Sequence, residues 1–352
     1  STVPVADLDR VLAQRFTSLE QVRAAVEGDW KLSDRVLGNG TYSLVDADNR
    51  LYYSTADSRV RVITLKDPAD PAAGLTVVNT LDSTPFFAAG AGPIPETTVG
   101  LGMTYDGHLV VATTRGVGVL NRDLSGTPAQ VHFDADETVS NSVAVDRDGG
   151  IYVASDKLMR KLVWTGTTLS DKPEDGAWSA PYGTGRQPPA VKFGTGTGST
   201  PTLMGFGDDA DKLVVITDGS DRMNLVAFWR DDVPAGKDRL AGQIPVTAGL
   251  DPLPEFIQSE QSVVVDGYGA FVVNNMRPQG DPDRLVDVIA GGPVLEPPRG
   301  MQRFEWDPAS HSWRSVWARG DVVATSMVPG ASSQSHLVMV NGYTEADGWE
   351  VT

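Results

Sequence analysis

Glu96, Asn141, Asp218 and the adjacent pair Glu260 and Gln261 are the residues of this chain whose types offer chemistry. Carboxylate and amide oxygens suit a hard cation such as calcium, which takes about six to eight of them. A carboxylate in an apolar pocket, its pKa raised by burial, serves instead as a general base. Asn274 and Asn275 add amides, Arg277 a cation able to meet an anionic group, and Phe86 and Phe87 an apolar rim. Asn141, Asp218 and Glu260 lie far apart in the chain. They form a site only if the fold gathers them.

A short phrase written repeatedly shows how it does so. "SLVDADNRLYYSTADSR" from Ser43 returns as "SVAVDRDGGIYVASDKLMR" from Ser142, with Asp46, Asp48, Leu51 and Tyr52 matched by Asp146, Asp148, Ile151 and Tyr152. Aligned on the first apolar residue after each polar turn, the phrase recurs at Leu51, Leu109, Ile151, Leu213, Phe271 and Leu337. β-branched and aromatic residues dominate each copy, and Gly, Asn and Asp fill the turns, where positive φ is needed. A self-similar unit of this size, built of short strands, is the signature of a β-propeller with one copy per blade. The sequence therefore predicts an all-β, six-bladed β-propeller over residues 37–352, with four-stranded antiparallel blades. The sixth copy has room for three strands only. The segment "WKLSDRVL" (Trp30 to Leu37) is expected to supply the missing outer strand and close the ring, since open sheet edges invite mispairing. Residues 1–36 form an extension. Within it Thr17 and Glu20 make a capping box for a short helix stopped at Gly28.

In such a ring the starts of the inner strands and the ends of the second strands meet at one mouth of a central channel. Thr41, Glu96, Asn141, Thr200, Glu260, Gln261 and Thr325 stand at the first; Asp57, Arg115, Asp156, Asp218, Asn274 and Asn275 at the second. The turn residues Asp48, Asp106 and Asp148 go to the opposite end, as shapers of the hairpins. The long insertion from Met276 to Gly300 in the fifth blade reads as a lid over the mouth, carrying Arg277 and Arg284.

Other signals are weaker. "GTGTGST" from Gly194 lacks the strand-then-helix setting of a phosphate loop and reads as a flexible approach to the mouth. The four histidines have no metal spacing, and no serine sits in a nucleophile elbow. The chain has no cysteine, so neither disulfides nor thiolate metal sites arise. A formal net charge of −17 argues against a nucleic-acid partner, and no apolar run is long enough to span a membrane. A small molecule is the expected partner. The first residue is serine, which favours a removed leader and a secreted or periplasmic location.

"SNSVAVDRDGGIYVASD" around Asn141, and "LVVITDGSDRMNLVAF" from Leu213, resemble phrases of six-bladed propellers of the regucalcin/gluconolactonase group, whose relatives include diisopropylfluorophosphatase, the paraoxonases and strictosidine-synthase-like proteins. The resemblance implies a catalytic calcium held by Glu, Asn and Asp at inner-strand starts. Asn141 matches an asparagine ligand, Gln261 stands where an aspartate is expected, and Glu96 lies three residues ahead of the aligned Val99. It implies lactone or ester hydrolysis, with Glu260 or Asp218 activating water. A non-catalytic binding propeller, and a metal-free lyase or condensing enzyme using Glu260, are the alternatives.

Overall fold

The computed structural model describes residues 10, 13–28, 42–55, 58–88, 90, 92–186, 192–278, 280–324, 329–344 and 348–351. The expected closing strand at residues 30–37, and Thr41, Asp57 and Thr325, lie outside them.

The chain folds as a succession of antiparallel sheets, most of them meanders. Helix α1 (Leu19–Gly28) precedes the sheets. Sheet one holds β1 (Ser43–Val45), β2 (Leu51–Thr55), β3 (Arg59–Leu65) and β4 (Leu75–Asp82); sheet two holds β5 (Thr98–Met103), β6 (His108–Thr113), β7 (Gly116–Asn121) and β8 (Ala129–His132). Sheet three runs β9 (Ala144–Val145), β10 (Gly150–Ala154) and β11 (Leu158–Trp164). Both β12 (Leu169–Ser170) and β13 (Trp178–Pro181) then pair with β11, so this sheet has five strands. Sheet four contains β14 (Thr202–Met204), β15 (Leu213–Thr217), β16 (Asn224–Trp229) and β17 (Leu240–Pro245). Sheet five contains β18 (Val264–Asp266), β19 (Gly269–Val273), then helix α2 (Arg284–Ala290), β20 (Met301–Asp307) and β21 (Ser312–Arg319). The last part of the chain forms two sheets: β22 (Val322–Ala324), β25 (Asn341–Thr344) and β26 (Gly348–Val351) make one of three strands, and the hairpin of β23 (Gly330–Ser332) and β24 (Leu337–Met339) stands as one of two. The expected three-stranded last blade is not seen as such: β25 pairs with both β22 and β26, while β23 and β24 pair only with each other among the described residues.

Innermost strands touch from one sheet to the next: β1 meets β5, β5 meets β9, β14 meets β18 and β18 meets β23. This packing explains the composition of the repeat. The second strands β10, β15 and β19 are buried at every position, covered on both faces by neighbouring sheets. They therefore read as continuous apolar runs rather than alternating ones.

The repeated polar turn is shaped by the first aspartate of each copy, not by Asp48 and Asp148. Asp46 Oδ1 accepts from the amides of Asp48 and Arg50 at 2.9 Å each, while Tyr52 donates its hydroxyl to Oδ2 at 3.1 Å. Asp146 accepts from Asp148 N at 2.9 Å, Gly150 N at 2.7 Å and the Tyr152 hydroxyl at 2.7 Å. To the turn itself Asp48 and Asp148 lend their amides, while the Asp48 carboxylate faces outward to Arg122 at 3.1 Å. Asp106 shapes its own turn, accepting from Thr104, with the Trp164 indole donating to its other oxygen at 2.9 Å.

The cap of α1 sits one residue later than expected. Ser18 Oγ accepts from Gln21 N at 3.3 Å, and the Thr17 amide donates to Gln21 Oε1 at 2.9 Å, so Gln21 takes the place expected for Glu20. The helix buries Val22 against Val286 and Ala290 of α2. Arg23 adds an ion pair to Asp281 at 2.5 Å.

A candidate site where four sheets meet

Tyr42, just ahead of β1, donates its hydroxyl to Oδ1 of Asn141, just ahead of β9. The contact crosses from the first sheet to the third, past the second. Burial raises the Tyr42 phenol above its ordinary range; the Thr200 hydroxyl beside it opposes that shift and the negative charge of Glu260 adds to it. Four segments from sheets one, three, four and five therefore converge on one place. That convergence defines the mouth.

Glu260 is held there by Asn275, at the far end of β19. Asn275 Oδ1 accepts from Ser259 Oγ at 3.2 Å and from Glu260 N at 3.1 Å, and its amide nitrogen lies 3.4 Å from Glu260 Oε1. Gln261 is buried, and its backbone carbonyl accepts from Ser199 Oγ at 2.8 Å. Its side-chain Oε1 is buried without a hydrogen-bond partner among the described residues, a costly state for an amide oxygen unless something polar reaches it.

The glycine-rich run from Lys192 to Thr200 lies packed across this mouth as a strap, rather than as the flexible approach its composition suggested. Phe193 N donates to Ser140 Oγ at 2.9 Å, beside Asn141. A Cβ on Gly196 would stand 2.3 Å from the Asp156 Cα, and one on Gly198 would stand 2.7 Å from the Glu260 Cα. Bare backbone is needed for both approaches. The strap is fastened by Lys192, 4% exposed, which donates to Gly196 O at 2.5 Å and Gln258 Oε1 at 2.7 Å. Gln258 passes the link on to the Gly219 and Ser220 carbonyls at 2.7 and 2.8 Å. Burial pulls the Lys192 amine down to about 8, against the pull of Asp218 and Asp221. Tyr182 closes the strap from below, accepting from Thr197 N at 3.0 Å and donating to Ser155 O.

Asp218 has every acceptor position of its two oxygens engaged. Oδ1 accepts from Ser220 N at 3.2 Å and Asn224 N at 2.8 Å; Oδ2 accepts from Ser220 Oγ at 3.0 Å and Asn224 Nδ2 at 2.8 Å. Burial still raises its pKa above the usual carboxylate range, against those bonds. It shapes the β15–β16 turn.

The remaining candidates have structural partners. Glu96 accepts from Thr113 Oγ1 at 2.7 Å and Ala88 N at 2.9 Å, fixing the loop before β5. Phe86 is buried in the core of sheets one and two, where a Cβ on Gly118 would lie 2.2 Å from its ring, so it is no part of a rim; Phe87 is half-buried. Asn274 caps strand ends, accepting from Gln258 N at 3.1 Å and donating to Arg299 O at 2.8 Å. Arg277 is bound to Asp287, 2.7 Å from Oδ1 and 2.6 Å from the carbonyl, and so ties the insertion together.

The mouth thus brings together Asn141, Glu260 and Asn275 from the sequence candidates. It adds Tyr42, Tyr182 and Lys192, which sequence reasoning missed. Tyr42 adjoins Thr41, already placed at a strand start, and that adjacency was the only signal available. Among the described residues, no cluster of three or more His, Cys, Asp or Glu stands ready to hold a metal.

No family model matches the chain. An uncharacterized protein of Archaeoglobus fulgidus is 36% identical over 284 residues, covering 72% of this chain and 53% of that protein, so the chain spans about half the length of this relative. The solved Dos1 propeller superposes with a TM-score of 0.50 at 10% identity, over 89% of this chain and 71% of the other. A periplasmic gluconolactonase of Pseudomonas aeruginosa gives 0.47 at 15% identity, over 89% and 83%. The likeness to the Dos1 propeller is one of fold alone: antiparallel four-stranded sheets with few helices, in the manner of propeller blades.

Proposed function

We propose that the chain is a six-bladed propeller, closed by residues 30–37 as the outer strand of the last blade, and that it hydrolyses a small lactone or ester at the mouth. The observation that carries this reading is the meeting of Tyr42, Asn141, Thr200 and Glu260 from four sheets, around a carboxylate oriented by Asn275. Glu260 takes the proton of the attacking water. Tyr42, kept neutral by its setting, has one hydroxyl proton to offer, given to Asn141 in the free protein and available to the substrate's carbonyl oxygen as negative charge develops there. The strap from Lys192 to Thr200 walls the site and keeps Glu260 in register.

Calcium fits this mouth by the chemistry of its donors. Asn141, Gln261 and Glu260 offer the hard oxygens such an ion takes, and the unpartnered Gln261 Oε1 is one of them. These three residues would hold it, Asn141 once its Oδ1 is released from the Tyr42 hydroxyl; Glu96, with both oxygens committed to its loop, would not. Bound calcium would supply Lewis-acid polarisation of the scissile carbonyl. Asp218 is left in a structural role.

A panel of lactones and aryl esters, assayed with calcium and with chelator, tests the reading. Turnover is expected to fall by about a hundredfold or more in Glu260→Gln. Calcium is expected to raise the melting temperature of the native protein and not of Asn141→Ala, because a ligand bound only by the folded state stabilises it. No turnover on any member of the panel would replace hydrolysis with a binding role.

A further inference from the structure

Away from the mouth, a cleft of about 420 Å³ opens between sheet five and the β23–β24 hairpin. Its walls are apolar. Phe271 and Trp317 lie with ring centroids 5.8 Å apart, and Met301, Val338 and Leu337 extend the apolar part of the lining. Trp317 is 40% and Leu337 61% exposed, so this surface faces solvent. The volume falls in the range of about 300–1,000 Å³ usual for small-molecule sites.

One polar group in the cleft stands out. Arg303, half-buried on β20, has no hydrogen-bond or ion-pair partner among the described residues. Its guanidinium lies over Gly269, where a Cβ would come within 2.6 Å of Nη2. Arginine keeps its charge at any accessible pH, and a partly desolvated guanidinium costs free energy until an anion meets it. The nearest acid in the lining, Asp266, is turned instead to His336, 3.0 Å from Nδ1.

We propose that this cleft is a second binding site, for a small molecule with an apolar body and a single carboxylate that pairs with Arg303. The apolar walls take the body, and the guanidinium fork accommodates both carboxylate oxygens. A dianion such as a phosphate ester is disfavoured, because Asp266 lines the same cleft and only one arginine offsets it.

Calorimetric and Trp317-fluorescence titrations of the intact protein with phenylacetate, octanoate, phenylacetamide and phenyl phosphate test this. Saturable binding of both carboxylates is expected, with phenylacetamide and phenyl phosphate weaker by about tenfold or more. Arg303→Gln is expected to weaken phenylacetate by a similar factor, and Arg303→Lys by less, since it keeps the charge and loses the fork. Gly269→Ala, which displaces the guanidinium without removing it, provides an independent variant should Arg303→Gln fold poorly, and is also expected to weaken phenylacetate. Trp317→Phe should abolish the optical signal while the heat of binding persists. The proposal is overturned if neither carboxylate saturates, if the amide or the phosphate ester binds as well as the acid, or if the folded Arg303 and Gly269 variants bind phenylacetate unchanged.

Discussion

The two ends of the inner hairpins use carboxylates in opposite ways. At the turn end, burial alone would raise the pKa of Asp46, but the amides of Arg50 and Asp48, the Tyr52 hydroxyl and the Arg122 charge together hold it below its usual range. At the mouth end, burial raises Asp156 and Asp218 above that range. At the turn end hydrogen bonds outweigh burial; at the mouth end burial outweighs them, even at Asp218 with its full set of donors, and the same end carries a buried lysine and an amide oxygen without a partner among the described residues. The turn end stabilises. The mouth end holds groups whose charge is costly, as sites of chemistry do.

This contrast can be broken most forcefully at the turn end. Asp146→Ala removes the acceptor for two amides and the buried Tyr152 hydroxyl. Stability should fall by about 3 kcal/mol by urea unfolding, with any turnover per folded molecule unchanged. A loss of stability under about 1 kcal/mol would mean that the repeated aspartate is dispensable.

The next effect is pH-dependent and belongs to the mouth. Burial places the folded-state pKa of Lys192 at about 8, below the ordinary value of 10.5, so between those values the unfolded chain binds the extra proton. Stability from this group therefore rises as pH climbs from about 8 to 10.5, by up to about 3 kcal/mol in all. Lys192→Met should remove that rise. Unfolding midpoints of the two proteins measured from pH 7 to 10 should diverge accordingly, and parallel curves would count against a buried amine.

Smaller effects sharpen the same comparison. Gln261→Leu replaces an amide whose oxygen has no partner, and should be neutral or stabilising by about 1 kcal/mol in calcium-free buffer. The same change is expected to weaken the calcium-dependent rise in melting temperature. Tyr42→Phe leaves the buried Asn141 Oδ1 without the Tyr42 donor and should cost about 1 kcal/mol of stability. Its turnover should also drop, measurably on a lactone that is a good substrate of the unaltered protein.

The strands were legible because their pattern is local. Continuous apolar runs such as "IYVAS" and "LVVIT" mark strands covered on both faces, and Asn49, Gly107 and Gly149 mark the turn positions with positive φ. The site was legible only where inner-strand starts could be aligned, which found Asn141 and Glu260. Lys192 escaped because its partners, Gly196 and Gln258, come from a loop and from another sheet, and no periodicity announces such a meeting. Asp218 and Arg277 were chosen for their charge, which says nothing of whether hydrogen bonds already consume it. Phe86 was chosen for its place in a loop, yet the bare Gly118 opposite draws it into the core. Residue type announces capacity; only packing decides whether the capacity is spent.

The pairing of α1 with α2 sets a timetable for biosynthesis. Arg23 and Asp281 are 258 positions apart, so at about 5–20 residues per second the first helix leaves the ribosome roughly 13–50 s before its partner. Through that interval Val22 and its apolar neighbours have nothing native to cover them. A nascent chain of this protein should therefore lean on a chaperone early, and release it only when sheet five has been translated.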